Sequence, residues 1–479
     1  MKGSKLIEII STFNGHDWNR AEKLLKSPFF NENQELTDLF MILNQRRKDG
    51  MTSEIDRQEL YRLQFPHRKY DDKHMRYLLS FLTGLLEDYL LQKELSEERG
   101  EYLALKHRAL AGRGKYKSAT HLSGVIEKEI SAMQSADSFR YRFSVAMQNM
   151  ELNARQQQRK VPLEFDTALD ALDGYYVARK LRLACEIFNA QNILNRQYSI
   201  RMLDEVRKLA DEEKFKSYPA IAVYHLILKT LTEPEKEEHF FELRSLVYET
   251  GKLFEPNEEE ELYQYLKNYC IKKLNTGRTN YVNELFEIYK SSLKNSRNLK
   301  PGKLSPWEFK NIVTVGLRLR EFDWVKSFIE LYVRYLDHSH QKNAEIYNMA
   351  NWHFHRKEYT QTLRLFQQVE FTDLYYQLDT RAILLKTYYE TGASDSFFYH
   401  ASAFRTFLSR NRLVSDYQKK IYRNLIRFSA RLMREAGDLT KLAEVKKVIT
   451  EVKQIADYRW LEEKVTEAVQ LAGGGSSGD

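Results

Sequence analysis

The sequence predicts an all-α protein, an array of stacked helix pairs behind an N-terminal helical cap. Three observations predict it. The stretch NAEIYNMANWHFHRKEYTQTLRLFQQVE, Asn343 to Glu370, reads as two helices joined by a tight turn. Variants of that stretch recur through the second half of the chain. No proline follows Pro306, so only short turns need break the helices there.

In the leading stretch, Ile346, Met349, Ala350 and then His353 and Phe354 recur at three- and four-residue spacing, which gathers them on one helix face. Lys357, Glu358 and Tyr359 form a polar break. Leu363, Phe366 and Val369 then mark the apolar face of a second helix. Tyr388 and Tyr389 follow His353 and Phe354 by 35 residues, with Gly392 at the next turn and Phe397, Ala401 and Phe404 beyond it. A further unit has Ala430, then Gly437-Asp438-Leu439, then Ala443 and Ile449. Upstream, Phe322-Asp323-Trp324 and the pair Gly277 and Tyr281 repeat the theme. One such pair cannot bury its own apolar face, so neighbours must stack.

This pattern resembles the tetratricopeptide repeat. Ile346, Met349 and Ala350 fall on its first-helix positions, Tyr359 on the aromatic that closes the turn, and Phe366 and Val369 on later second-helix positions. Thr362 stands where alanine is usual and Lys357 where glycine is usual. The resemblance implies a right-handed α-solenoid of degenerate tetratricopeptide-like pairs, with partners held along a concave side lined by first helices. The residues it assigns there are Tyr347, Asn348, Asn351, Phe354 and His355, then Ala382, Ile383, Lys386, Tyr389 and Glu390. Asn351 and Lys386 would hydrogen-bond a peptide backbone or carboxylate, and Tyr347 and Tyr389 would form apolar walls.

From the start of the chain, residues 1–97 read as the cap. Lys5 to Phe13 is a first helix, Asp17 caps a second that ends at Ser27-Pro28, and Asn31 or Asn33 caps a third. Thr52 or Ser53 starts a fourth that stops at Pro66. Asp71 or Asp72 caps a fifth with Met75, Leu78, Leu79, Leu82, Leu85, Leu86 and Leu90 as its apolar face. The phrase LLKSPFFNENQELTDLF resembles uncharacterised bacterial helical-repeat proteins. Residues 98–297 resume degenerate helix pairs, 298–306 (NLKPGKLSP) reads as a linker or long loop, 307–471 is the most repeat-like part, and 472–479 is a flexible tail.

Charge is unevenly spread. Over 102–160 there are eleven basic and four acidic residues, which accounts for nearly all of the net +8. The basic side chains are Lys106, Arg108, Arg113, Lys115, Lys117, Lys128, Arg140, Arg142, Arg155, Arg159 and Lys160, interleaved with Tyr116, Phe139, Tyr141 and Phe143. Such a patch suits a phosphate backbone with stacking bases. It suits an acidic protein equally, or simply a solvated helix face whose long stems cover apolar surface.

The chemistry-bearing motifs are sparse. GRGKYKS at 112–118 fails as a phosphate loop, because Arg108 stands where the leading glycine belongs and no strand precedes it. His338 and His340, like His353 and His355, are two residues apart, which points them to different sides of a helix. No HExxH, paired CxxC or nucleophile elbow occurs. No catalytic, metal or cofactor site is therefore assigned. Cys185 and Cys270 read as buried free thiols in a reducing compartment. The N-terminus lacks a signal-peptide pattern and no apolar run is long enough to span a membrane, so a cytoplasmic protein is expected.

The reading is a non-catalytic scaffold or adaptor that binds a protein segment through Tyr347, Asn348, Asn351, His355, Lys386 and Tyr389. The alternative is a nucleic-acid- or ribosome-associated regulator acting through Lys106, Arg108, Arg113, Lys115, Lys117, Arg140 and Arg142. A second alternative is an enzyme with a site between helices.

Overall fold

The structure is a computed structural model that describes residues 4–50, 56–132, 135–155, 165–194, 198–297, 299–369, 374–452 and 454–474. Among the described residues all regular structure is helical, with no strand. The chain divides into two compact units, Met1–Thr232 and Glu233–Asp479.

The first unit opens with α1 (Lys5–Ser11), α2 (Gly15–Leu25), α3 (Gln34–Lys48), α4 (Arg57–Gln64) and α5 (Asp72–Glu97). They enclose a core of Trp18, Phe40, Met75, Leu78, Leu82 and Leu86. Asn33 and Asp71 cap α3 and α5. The cap of α2 is Asn14 rather than Asp17. Asn14 accepts from the His16 and Asp17 N–H groups, and the Asp17 carboxylate accepts from the Asn14 N–H. This is a reciprocal box in which Asp17 holds the third helical position. Asp17 is buried and also accepts from Tyr89 at 2.7 Å and pairs with Lys93 at 2.9 Å, which ties α2 to α5. Asp56 caps α4; Thr52 and Ser53 lie outside the described residues.

Next come α6 (Arg99–Gly112), α7 (Tyr116–Ala132), α8 (Ala136–Arg155) and the long α9 (Phe165–Leu194). Buried His107 pins the first three together, one ring nitrogen on Gln148 and the other on Ser123. The inner face of α9, Ala- and Gly-rich with Val177 and Leu181 among its buried residues, packs on α8 and on α12 (Pro219–Thr232), with α10 (Leu203–Ala210) and the short α11 (Glu213–Lys216) beside them.

The second unit begins with α13 (Glu237–Thr250) and continues as pairs: α14 (Pro256–Asn275) with α15 (Tyr281–Asn295), α16 (Pro306–Arg318) with α17 (Phe322–Tyr332), and α18 (His338–His355) with α19 (Tyr359–Phe366). Then α20 (Leu374–Glu390) pairs with α21 (Ser394–Arg410), α22 (Asp416–Arg434) with α23 (Leu439–Glu451), and α24 (Tyr458–Gly474) closes the series. From α14 each helix packs on the next. The first helices α16, α18, α20, α22 and α24 also pack on one another in succession. Gly316 permits one close approach, since a Cβ there would stand 2.4 Å from the Val325 side chain. Leu304 anchors the loop before α16 by donating to the Tyr335 carbonyl, and Ser305 caps that helix ahead of Pro306.

Every within-pair turn of this series contains one residue in the left-handed region: Gly277, Arg320, Lys357, Gly392 and Gly437. At the first four, the next residue's N–H bonds to a carbonyl five residues back, for example Glu358 to His353 and Ala393 to Tyr388. That is the Schellman closure, which satisfies the last carbonyls of the first helix. GRGKYKS closes α6 the same way, with Gly114 left-handed and Lys115 bonded to Leu110.

Candidate functional site

The packed row of first helices in the second unit brings charged side chains from distant parts of the chain into one polar seam. At its start, Lys267 on α14 is buried and pairs with Glu308 on α16 at 2.6 Å. Lys310 on α16 pairs with Asp379 on α20 and lies over the rings of Trp307, Tyr347 and Tyr376, 5.2–5.8 Å from their centroids. Tyr422 on α22 donates to Asp379 at 3.0 Å. Burial, then the Asp379 and Asp457 charges, push its phenol well above the ordinary range.

Farther along, Lys386 on α20 pairs with Asp457 at 2.7 Å and stands over the Phe354 ring. Lys464 on α24 bridges Glu390 and Glu467, and the Trp460 indole donates to Glu390 at 2.7 Å. Each buried lysine of the seam thus faces a carboxylate, as burial of an ammonium demands. The exposed cations differ. Arg318, at the end of α16, and Arg459, in the first turn of α24, have no ion pair among the described residues. Burial of part of its surface, then the Arg459 charge, lower the Arg318 pKa. His355 is exposed at the surface beside its neighbours. Desolvation by surrounding protein, then Lys386, push its imidazole down to about 4, against the pull of Asp457.

The residues expected to form a groove are divided by this arrangement. Tyr347 and Asn348 lie inside the core. Tyr347 packs on Phe366 and Tyr376, and Asn348 donates to the Ala344 carbonyl. Asn351 is half-buried and bonds to the Tyr347 carbonyl. Lys386 is engaged by Asp457, and Tyr389 stacks edge-on with Trp460. His355 is the one of the six that is exposed. Sequence reasoning missed Lys310, Arg318, Asp379, Asp457, Arg459 and Lys464. The available signal was charge at seven- or eight-residue spacing within first helices, as in Lys310 and Arg318 or Asp379 and Lys386, which keeps them near one face.

In the first unit, Lys106, Arg108, Arg113, Lys115 and Lys117 are exposed around the α6–α7 turn and make no ion pair among the described residues. Arg140 pairs with Glu101 and Asp137 and lies on the Tyr141 ring. Arg142 is half-buried, 4.0 Å from Glu127. Arg159 and Lys160 lie outside the described residues.

Both cysteines are buried, and burial raises their thiol pKa values far above the ordinary range. Among the described residues, no group of three His, Cys, Asp or Glu side chains is placed to hold a metal ion. No described helix is long and apolar enough to cross a membrane. No protein-family model, curated protein or solved structure matches the chain.

Proposed function

We propose that the protein is a non-catalytic cytoplasmic scaffold, a right-handed α-solenoid of degenerate tetratricopeptide-like pairs. Its row of first helices holds an acidic protein segment. The observation that carries this reading is the uneven pairing of the seam. Lys267, Lys310, Lys386 and Lys464 are matched by carboxylates, whereas Arg318 and Arg459, near enough to feel each other's charge, face solvent unmatched among the described residues. Guanidinium groups suit bidentate capture of carboxylates. The test is titration with a fluorescent Asp/Glu-rich peptide at low and moderate salt. The double variant Arg318→Glu/Arg459→Glu is expected to weaken binding at least tenfold. Equal binding of a Lys-rich peptide of the same length would overturn the reading.

A second reading, nucleic-acid or ribosome association, draws on the five unpaired cations around the α6–α7 turn. Recovery of a discrete protein set from native extract after nuclease treatment supports the scaffold. Recovery that collapses with nuclease or moderate salt supports this second reading.

A further inference from the structure

Helix α9 is apolar on two sides, more than a helix that serves one core requires. Its inner face is Ala168, Ala171, Gly174, Val177, Ala178, Leu181, Ala184 and Cys185, all buried. Its outer face carries Phe165, Leu169, Leu172, Tyr176 and Leu183, which are 53, 58, 42, 38 and 53% exposed. These five fall within a narrow arc at 100° per residue, with half-buried Ile187 continuing it. Scattered exposed leucines are ordinary, but a contiguous stripe marks an interaction face.

We propose that this face binds a second copy of the same chain, with the two α9 helices side by side and antiparallel. The charges of the helix select that occupant. Asp166, Asp170 and Asp173 occupy its N-terminal half, and Arg179, Lys180 and Arg182 follow Tyr176. An antiparallel copy sets each acidic arm beside a basic arm, and a parallel copy sets like on like. With Tyr176 on the axis, two flanking pairs of apolar positions are self-complementary in the same register, as a two-fold interface requires, and Leu172 falls opposite the apolar stem of Lys180. Leu169 and Leu183 lie seven residues either side of Tyr176, and Phe165 and Ile187 lie eleven either side. Asp170, Arg179 and Arg182 already have internal partners, Lys214, Asp137 and Glu186. Asp173 and Lys180 have no ion pair among the described residues, which leaves them free to pair across the interface.

Five side chains of ~150–250 Å² each, about half exposed, offer on the order of 400–500 Å² per copy. Two copies then bury about 1,000 Å², the lower edge for a specific contact, so a reversible dimer with a dissociation constant of roughly 1–100 μM is expected.

Sedimentation of the full chain across that concentration range is the test. Wild type is expected to shift from monomer to dimer. Leu169→Glu and Leu183→Glu are expected to raise the dissociation constant more than tenfold with unchanged helical circular dichroism. Asp173→Lys and Lys180→Asp should each weaken association, and the double swap should restore it. Tyr176→Cys, treated with oxidised glutathione as the two-electron oxidant, should form an intermolecular disulfide, with buried Cys185 and Cys270 not competing. A monomer throughout, or a dimer indifferent to Leu169 and Leu183, overturns the proposal. So does a stripe that instead drives binding to anionic lipid vesicles. A dimer that survives while Tyr176→Cys fails to cross-link overturns the antiparallel arrangement.

Discussion

The cations of the second unit's seam and those around the α6–α7 turn are the same residue types under opposite constraints. Lys310 is largely buried, enclosed by three aromatic rings and matched by Asp379. Lys115 and Lys117 are exposed and matched by nothing among the described residues. A buried ammonium must find its counter-charge within the fold, so its interaction is used up in specifying how helices stack. An exposed one keeps its charge for solvent or a partner. A count of basic residues therefore misleads. The pairing state decides which cations remain available, and it directs attention to Arg318 and Arg459 in one unit and Lys106 to Lys117 in the other.

The largest effect should come from breaking a seam pair on one side only. Asp379→Ala leaves the Lys310 ammonium among rings and removes the acceptor of the Tyr422 hydroxyl. A loss of about 2–3 kcal/mol is expected by denaturant unfolding, below the full cost of a completely buried pair because Asp379 is partly exposed. Lys310→Met/Asp379→Leu should recover most of that loss. A single substitution that costs under ~0.5 kcal/mol would place the seam with the surface pairs and erase the contrast.

Buried His225 is an intermediate case, a titratable group held uncharged. It is 4% exposed, and neither ring nitrogen makes a hydrogen bond. Burial first, then Lys229, push its pKa down to about 4, against the opposing pull of Asp211. The folded-state value lies below the 6.5 of an open histidine. The unfolded chain therefore takes the proton first. The stability gained by keeping the imidazole neutral is complete above pH 6.5, declines as the pH falls and is gone below about 4. His225→Gln should flatten melting temperature against pH across that window.

The turns provide a smaller effect. Lys357 and Arg320 hold left-handed φ values of 63° and 61°, where Gly277, Gly392 and Gly437 stand in the sister turns. Lys357→Gly and Arg320→Gly should each stabilise by about 0.5 kcal/mol. Relief of left-handed strain exceeds the added freedom of the unfolded chain. Gly392→Ala should cost about 1 kcal/mol by the same strain. Thermal melts of the three variants check the ordering.

These turns also show what the sequence could reveal. Apolar spacing and missing prolines were enough to place the paired helices, and glycines flagged three of their turns. Lys357 was legible as an odd residue at a glycine position, but not as a strained one. The site was less legible. Lys310 and Asp379 are 69 residues apart, and Trp460 and Glu390 are 70 apart, so local periodicity carries no trace of their meeting. Tyr347 and Asn348 looked like groove residues because the pattern of one helix does not reveal how many neighbours enclose it. Helix α18 packs on α16, α17, α19 and α20, which buries a wider arc than its apolar stripe suggests.

The smallest stability effect is expected where the charge is densest. Arg113→Ala/Lys115→Ala/Lys117→Ala removes three exposed cations from the turn that closes α6 and opens α7. The Gly114 closure there uses backbone groups alone, Gly114 to Ala111 and Lys115 to Leu110, which the substitutions keep. Stability should change by less than ~0.5 kcal/mol. Any polyanion affinity should fall, however. On duplex DNA the slope of log affinity against log salt should flatten by about 0.9 for each phosphate that is no longer neutralised. Unchanged stability with a flattened slope would make this turn a binding surface. A loss of stability approaching that of Asp379→Ala would mean that these cations, too, are spent within the fold.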